Sequence, residues 1–425
     1  MHIGLDATDL IVGRVSGVPR YGESLIHALL RVAPENRYTL FVSGREDWFG
    51  KEALESARER FAGAQLKVLF GGLTPHRPSE TNIARRWRMS RLLRPADALA
   101  RRAYARVNEN ASGWAAAIRR GGARAAAEEP QVMHHLSYGI HYPFRRSGNV
   151  IMIHDLIARL FPEWTTPATR RLLRRALRFA KRCEAVVVNS ECTRRDLISA
   201  GFLPRGGEKN IVTIPLAAEG AFRPLDSHET ATRLRGMNLD RTPFFLYVGT
   251  LEPRKNLPVL IAAFAEMLKR FPEQPMRLVL AGRKGWGYEP VFDEIARRSL
   301  TNQVTHIDGA DDETLAALMN AAIALIYPSL YEGFGLPAVE AMACGCPVIT
   351  SDRASLPEVV GEAGIQVNPE VVAEIVDAMT RIRSDDSLRE SLRGRGLERV
   401  KQFSWDRLAE RTLTVYEKAA GRCGQ

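Results

Sequence analysis

The sequence predicts an α/β protein with two domains, each built on a doubly wound parallel β-sheet. Two observations lead to this prediction. Short apolar runs of strand length alternate with longer segments of helical periodicity along most of the chain. The chain has 425 residues, which is long enough for two separate hydrophobic cores. In sheets of this kind, ligands bind at the carboxyl ends of the strands.

The N-terminal domain is expected to span residues 1–220. A loop containing Gly17 leads into an amphipathic helix at about 19–32, for which Ser16 is a candidate N-cap. A basic helix is expected at 169–182, followed by a helix capped by Ser190. Apolar or alternating runs predict strands at 2–7, 38–43, 66–69, 132–135, 150–153, 185–189 and 211–217.

The C-terminal domain is expected at 221–402, after a linker around 220–224 that contains glycine and proline. Residues 403–425 follow, with a final helix at 406–420. Helices are predicted at 257–271, 312–321 and 337–344, and strands at 244–249, 278–282, 304–307, 321–326 and 348–350.

The composition of the chain indicates which kinds of binding partner and which cellular compartment to expect. The formal charge of +11 indicates a polyanionic partner, which would be anionic lipid, nucleic acid or a phosphorylated substrate. The first residues show no signal-peptide pattern and no apolar run reaches the length of a membrane span, so we expect a cytoplasmic protein. The five cysteines have neither a second close pair nor a histidine cluster and are interpreted as buried thiols.

Residues 74–124 form an arginine-rich segment with few acidic residues and with interleaved tryptophan and leucine. This pattern is typical of a basic amphipathic helical insertion. Three interpretations stay open: a solvated insertion, a surface for membrane or lipid phosphate, and a nucleic-acid surface. No nucleic-acid motif accompanies the charge, so we predict that residues 85–124 contact an anionic membrane.

The most informative stretch is 326–352, which reads as a strand, a glycine loop, a helix and a second strand. The N–H groups of Gly335 and Leu336 are expected to point out of the helix N-terminus, which favours an anion. Glu332 lies in the loop and Glu340 lies one turn into the helix, and carboxylates accept strongly from sugar or ribose hydroxyls. These features predict a nucleotide-sugar site, whereas the simpler alternative is a plain loop with two solvated glutamates.

The segment PSLYEGFGLPAVEAMACGCPVI, with its E-x7-E spacing from Glu332 to Glu340, resembles the signature of the family 4 glycosyltransferases. The resemblance implies the GT-B fold, retaining chemistry, and a C-terminal helix that crosses back to the first domain. It implies that Glu332 holds hydroxyls of the transferred sugar, that Glu340 holds the ribose, and that His154 lies beside the sugar. The donor-binding set that we predict is Gly17, Gly249, Thr250, Gly282, Asp308, Gly333, Phe334, Gly335, Leu336 and Glu340.

Two cations follow the first strand of the C-terminal domain. Arg254 and Lys255 lie at a strand–helix junction, where they would clamp a pyrophosphate or remain a solvated pair. The related family carries Arg-x4-Lys here; Lys255 matches the lysine, but Thr250 occupies the arginine position. We predict that Lys255 and Arg254 are catalytic and that Lys255 lies on an exposed cleft wall. Two interpretations of the Thr250 position stay open: Arg254 supplies the missing cation, or the site relies on Lys255 alone.

The resemblance implies a retaining hexosyltransferase that acts on a lipid-linked or polysaccharide acceptor. The segments YVGTLEPRKNL and AGRKGWGYEP are similar to bacterial mannosyltransferases of O-antigen and exopolysaccharide pathways. GDP-mannose is therefore the predicted donor, with UDP-glucose as the alternative. We expect no metal, because no Asp-x-Asp motif is present, and a peripheral location on the inner face of the cytoplasmic membrane. A glycoside hydrolase and a non-enzymatic binder of membrane or nucleic acid stay open as other classes.

Overall fold

The computed structural model describes residues 1–11, 17–43, 51–69, 129–140, 144, 146–237, 239 and 242–422. The basic segment 74–124 and Ser16 lie outside the described residues, so the predictions made for them stay predictions. Within the described ranges, no helix is both long enough and apolar enough to cross a membrane.

The N-terminal domain contains a parallel sheet whose described strands follow the order β3-β2-β1-β4-β5-β6-β7. The strands are β1 His2–Asp6, β2 Arg37–Ser43, β3 Gln65–Leu69, β4 Val132–His135, β5 Gly148–Ile153, β6 Ala185–Val188 and β7 Ile211–Thr213. The described helices of this domain are α1 Thr8–Ile11, α2 Gly17–Val32, α3 Lys51–Arg60, α4 Ile157–Leu160, α5 Pro167–Ala180 and α6 Glu191–Ser199. The order reverses direction at β1 and β4, which is the switch point of a doubly wound sheet.

The C-terminal domain contains a second parallel sheet, with the order β10-β9-β8-β11-β12-β13. The strands are β8 Phe244–Val248, β9 Arg277–Ala281, β10 Val304–Ile307, β11 Leu325–Tyr327, β12 Val348–Ser351 and β13 Ile365–Val367. The described helices are α7 Ser227–Arg233, α8 Leu257–Arg270, α9 Glu289–Arg297, α10 Asp312–Ala321, α11 Leu336–Ala343, α12 Leu356–Val360, α13 Val372–Ser384 and α14 Asp386–Val400. Central strands such as β8 are buried along their whole length, because helices cover both faces of the sheet.

The last helix, α15 (Trp405–Arg422), packs against α2, β4 and β5 of the N-terminal domain. The Tyr416 hydroxyl lies 2.6 Å from Nδ1 of the buried His134. A Cβ atom at Gly148 would lie 2.6 Å from the carbonyl oxygen of Ala419, so only glycine permits this close approach. The predicted return of the C-terminal helix to the first domain is confirmed.

Two strand predictions need correction. The apolar run 321–326 is not all strand, because α10 continues through Ala321 and β11 begins only at Leu325. The run 211–217 forms a strand only over Ile211–Thr213. Ile214 still donates its N–H to the carbonyl of Val188 at 2.8 Å, but the next residue, Pro215, has no N–H to continue the ladder.

Candidate active site

The loop between β11 and α11 lies against the N-terminal domain. A Cβ atom at Gly333 would lie 2.1 Å from the carbonyl oxygen of His154, so a side chain at this position would push the two domains apart. Gly335 has φ +106°, in the left-handed region, and it directly precedes the first turn of α11. The predicted helix start is therefore confirmed within one residue, with the N-terminus facing the cleft.

The Glu332 carboxylate forms ion pairs with both cations of the predicted site, Lys255 and Arg254. Its Oε1 lies 2.5 Å from Nζ of Lys255, and its Oε2 lies 2.7 Å from Nη1 of Arg254. The Lys255 ammonium also donates to the Tyr327 hydroxyl at 2.7 Å, and Arg254 forms a second ion pair with Glu252 at 2.7 Å. We call Glu332, Arg254 and Lys255 the cleft triad.

The cleft triad is largely buried, with Arg254 partly exposed, which corrects the expectation that Lys255 lies on an exposed wall. Lys255 is 4% exposed and Glu332 is 6% exposed. The short turn Pro253–Lys255 before α8 brings the lysine beneath the loop that carries Glu332, and the sequence gives no sign of this covering. A buried charge must be paired, and the triad supplies that pairing.

Burial and the neighbouring charges both shift the pKa values of Glu332 and Lys255. Burial alone would raise the pKa of Glu332, but Arg254 and Lys255 together lower it to about 2. Burial lowers the pKa of Lys255, and the neighbouring Arg254 lowers it further while Glu332 opposes the shift. Glu332 is therefore ionised at neutral pH and keeps two cations at the cleft floor.

Glu340 lies one turn into α11 and faces the other domain. Its Oε1 lies 2.5 Å from Nη1 of Arg20, near the start of α2, and the same guanidinium pairs with Asp312. Burial raises the pKa of Glu340 to about 7, and Arg20 opposes the rise. Among the described residues, no hydrogen bond to Oε2 of Glu340 is found.

His154 directly follows β5, at the carboxyl end of the strand as predicted, and belongs to the domain opposite the cleft triad. Its Nε2 lies 2.9 Å from the Leu136 carbonyl, which can only accept, so Nε2 carries the proton. The ring meets Tyr21 edge to face, with 5.2 Å between the ring centroids. Burial lowers the pKa of His154 to about 4, so the neutral ring keeps Nδ1 as an acceptor.

The two domains also meet through side chains that sequence reasoning missed. Ser190, which caps α6 as predicted, donates to the Gly333 carbonyl at 2.6 Å. The Tyr331 hydroxyl donates to Asp196 on the same helix. Arg20 was missed as well; its only sequence signal is its position in the first turn after the Gly17 loop. Such pairs join residues more than a hundred positions apart, and one sequence offers no measure of that proximity.

The other predicted residues lie after the carboxyl ends of strands or at the starts of helices. A Cβ atom at Gly282 would lie 1.9 Å from the Gly249 carbonyl oxygen, so β8 and β9 end in close backbone contact. Thr250 is exposed, and its carbonyl accepts from Tyr247 at 3.2 Å. Phe334 is buried against Phe403, with 5.8 Å between ring centroids. Leu336 begins α11 and Gly17 begins α2.

Asp308 is not brought to the cleft triad. It follows β10, which is the edge strand and lies three strands from β11, or about 14 Å at ordinary strand spacing. Its predicted donor-binding role therefore concerns a separate end of the site. In the part of the chain that the structure describes, no group of three or more His, Cys, Asp or Glu side chains is placed to hold a metal ion. Metal-free donor binding stays a prediction.

Two doubly wound domains that face each other, joined by a returning C-terminal helix, define the GT-B class of glycosyltransferases. Residues 235–399 match the sequence profile of the family described as Glycosyl transferases group 1. O-antigen chain mannosyltransferase B of Escherichia coli is 33% identical over 276 residues, which cover 65% of this chain and 71% of that protein. The chain belongs to the group 1 glycosyltransferases, and the hydrolase and non-enzymatic alternatives are set aside.

Solved structures confirm the fold. Sucrose-phosphate synthase from Thermosynechococcus elongatus superposes with a TM-score of 0.69 at 21% identity, over 98% of both chains. The Anabaena protein HepE, solved in complex with UDP and glucose, gives a TM-score of 0.66 at 17% identity, over 97% of this chain and 98% of that chain. Other curated relatives align over smaller shares of their own length, 56% and 33% in two cases.

Proposed function

We propose that this glycosyltransferase transfers mannose from GDP-mannose to a lipid-linked or polysaccharide acceptor, with retention of anomeric configuration. The observation that supports it most is the buried cleft triad beside the N-terminus of α11. The E. coli relative, which is named an O-antigen chain mannosyltransferase, supports the choice of sugar and of acceptor class. We infer that the product serves the assembly of a cell-surface polysaccharide such as lipopolysaccharide.

The donor diphosphate would lie at the N-terminus of α11. The N–H groups of Gly335 and Leu336 and the ammonium of Lys255 would meet the charge that develops on the leaving nucleoside diphosphate. Lys255 donates to Glu332 and Tyr327, so one of its three N–H groups remains for a phosphate oxygen. Arg254 stands beside Glu332 and supplies a cation that Thr250 cannot.

The sugar would lie between Glu332 and His154. Each oxygen of Glu332 already accepts one hydrogen bond, and a carboxylate oxygen has a second lone pair for a sugar hydroxyl. The neutral His154 offers Nδ1 as an acceptor on the opposite side. The loop of Glu332 contacts the His154 backbone. When the two domains close around a donor, the Glu332 and His154 side chains would both contact the transferred sugar.

UDP-glucose is the alternative donor, because HepE has been solved with UDP and glucose on the same fold. The test is a thermal-shift panel of GDP-mannose, GDP, UDP-glucose and UDP. A ligand at a hundred times its Kd adds about 2.7 kcal/mol, which is roughly a few degrees in Tm for a chain of this size. We expect the guanine ligands to raise Tm and GDP-mannose to release GDP during turnover. Stabilisation by uracil ligands alone would favour the alternative, and no stabilisation by any of them would contradict a donor site.

Glu340 gives this site a pH dependence. Because the pKa of Glu340 is raised to about 7, the carboxyl is largely protonated below that pH and becomes a stronger hydroxyl acceptor above it. The affinity for GDP-mannose should therefore rise as pH increases from about 6 to about 8, a range in which the pyrophosphate does not titrate. Calorimetry should show this rise in the unmodified protein and a flat profile in Glu340→Gln.

Removal of the side chain should have the larger effect. Glu340→Ala should weaken donor binding by roughly 1.5–3 kcal/mol, the contribution of a charge-assisted hydrogen bond. Glu374→Ala is a suitable control, because this exposed glutamate lies on α13 and its side chain accepts a hydrogen bond from the Asn368 backbone. Unchanged affinity in Glu340→Ala would show that Glu340 does not hold the ribose.

A further inference from the structure

Helix α5 and the turn after it carry an unusual concentration of positive charge. Residues 167–182 include seven cations and no acidic residue: Arg170, Arg171, Arg174, Arg175, Arg178, Lys181 and Arg182. The opposite face of the helix is buried in the N-terminal domain through Leu173, Ala176, Leu177 and Ala180. The helix is therefore amphipathic, with a stable inner face and a cationic outer face.

The outer face is not neutralised by any counter-ion among the described residues. Among the described residues, Arg171, Arg174, Arg175 and Arg178 form no ion pair or hydrogen bond through their side chains. Some surface arginines elsewhere are paired; Arg297, for example, pairs with Glu294 three residues earlier. We call these four arginines the α5 basic surface. A cluster of uncompensated charges raises the local potential and favours a polyanionic partner.

Exposed apolar side chains flank this surface. Leu172, on α5 itself, is 38% exposed, and Leu160, at the end of α4, is 40% exposed. The short helix α4 packs against α5, so the two leucines lie on neighbouring elements of the domain. Trp286 of the other domain is 44% exposed and donates to the Trp164 carbonyl at 3.0 Å. Arginines with apolar neighbours are the composition of a helix that lies in a membrane interface.

This face adjoins the rim of the catalytic cleft. Helix α4 begins three residues after His154. Phe161, which follows α4, lies with its ring centroid 5.4 Å from that of Tyr331, the neighbour of Glu332. A molecule held at the α5 basic surface would therefore be close to the entrance of the site that we assign to the transferred sugar.

We propose that the α5 basic surface docks the protein on an anionic lipid membrane, with Leu160 and Leu172 in the headgroup layer. The inference rests on the proposed function in one respect, that a lipid-linked acceptor enters the cleft from the membrane. It is independent of residues 85–124, for which the sequence alone predicted such a contact. A nucleic acid would also meet the charge, but it would leave both leucines in water, whereas a bilayer covers them.

The test uses the full chain and vesicles of phosphatidylcholine with and without phosphatidylglycerol. The unmodified protein should co-sediment with the anionic vesicles, and high salt should release it. Each arginine near an anionic surface contributes about fivefold to binding, so changing Arg171, Arg174, Arg175 and Arg178 to Glu should lower the partition coefficient at least about a hundredfold. Leu160→Ser with Leu172→Ser should lower it less, without changing its salt dependence.

A matched control carries the same change in charge elsewhere. Arg235, Arg381, Arg393 and Arg395 are exposed arginines of the C-terminal domain, and their change to Glu should leave vesicle binding within about twofold. The thermal shift with GDP-mannose, measured without vesicles, should be the same in all variants, so failure of donor binding is seen separately. Undiminished sedimentation of the α5 variant, equal binding to neutral vesicles, or binding to a labelled oligonucleotide but not to vesicles would overturn the proposal.

Discussion

Glu332→Gln is expected to lower kcat by roughly a hundredfold or more, which corresponds to about 2.7 kcal/mol of transition-state stabilisation. The substitution keeps the shape of the side chain and removes its charge. The carboxylate now accepts from Lys255 at 2.5 Å and from Arg254 at 2.7 Å, and in the proposed mechanism it orients both cations toward the leaving group. Glutamine offers one acceptor oxygen instead of two and cannot hold both cations together with a sugar hydroxyl.

Initial rates of nucleoside diphosphate release, measured at saturating donor, would show this loss. Glu370→Gln is the matched control, because Glu370 is exposed and forms an ion pair with the surface residue Arg353. An exposed ion pair of this kind contributes little to stability, so the kcat of the Glu370→Gln enzyme should be unchanged. Near-normal kcat in Glu332→Gln would remove Glu332 from the mechanism.

Lys255→Ala should have two effects, of which the sequence predicted only the first. The loss of a phosphate-facing ammonium should reduce kcat/KM sharply, because the charge acts on both the bound donor and the transition state. The burial of Lys255 adds a second effect, since Glu332 would keep Arg254 as its only cation in a covered site. Breaking a buried pair costs about 3–5 kcal/mol, and we expect roughly the lower end because Arg254 remains.

Denaturant unfolding and steady-state kinetics, applied to the same preparation, separate the two effects. Lys269→Ala provides the control, because this lysine of α8 is exposed and pairs with Glu266 on the surface. It should change neither stability nor kcat/KM measurably. A Lys255→Ala protein with unchanged stability would show that the triad is open to water, and one with unchanged kcat/KM would show that the lysine does not face the donor.

The sequence was sufficient to predict the fold and to predict that the site lies at the carboxyl edges of the two sheets. Strands that alternate with helices impose parallel sheets, and His154, Gly249 and Gly335 follow buried strands, so their place at the carboxyl edges was predictable. The burial of Lys255 was not, because it depends on a loop that begins more than seventy residues later. The contacts of Arg20 with Glu340 and of Tyr331 with Asp196 depend on the packing of two domains against each other, which local patterns do not encode.

The anomeric configuration of the product tests the central claim most directly. The enzyme would be incubated with GDP-mannose, in which mannose is α-linked, and with an acceptor glycan, and the one-bond carbon–proton coupling of the new linkage would be measured by NMR. A retaining transferase must form an α-mannoside, and Glu332→Gln should form it much more slowly. A β-mannoside, or the absence of mannose transfer while another nucleotide sugar is consumed, would contradict the proposed retaining mannosyl transfer.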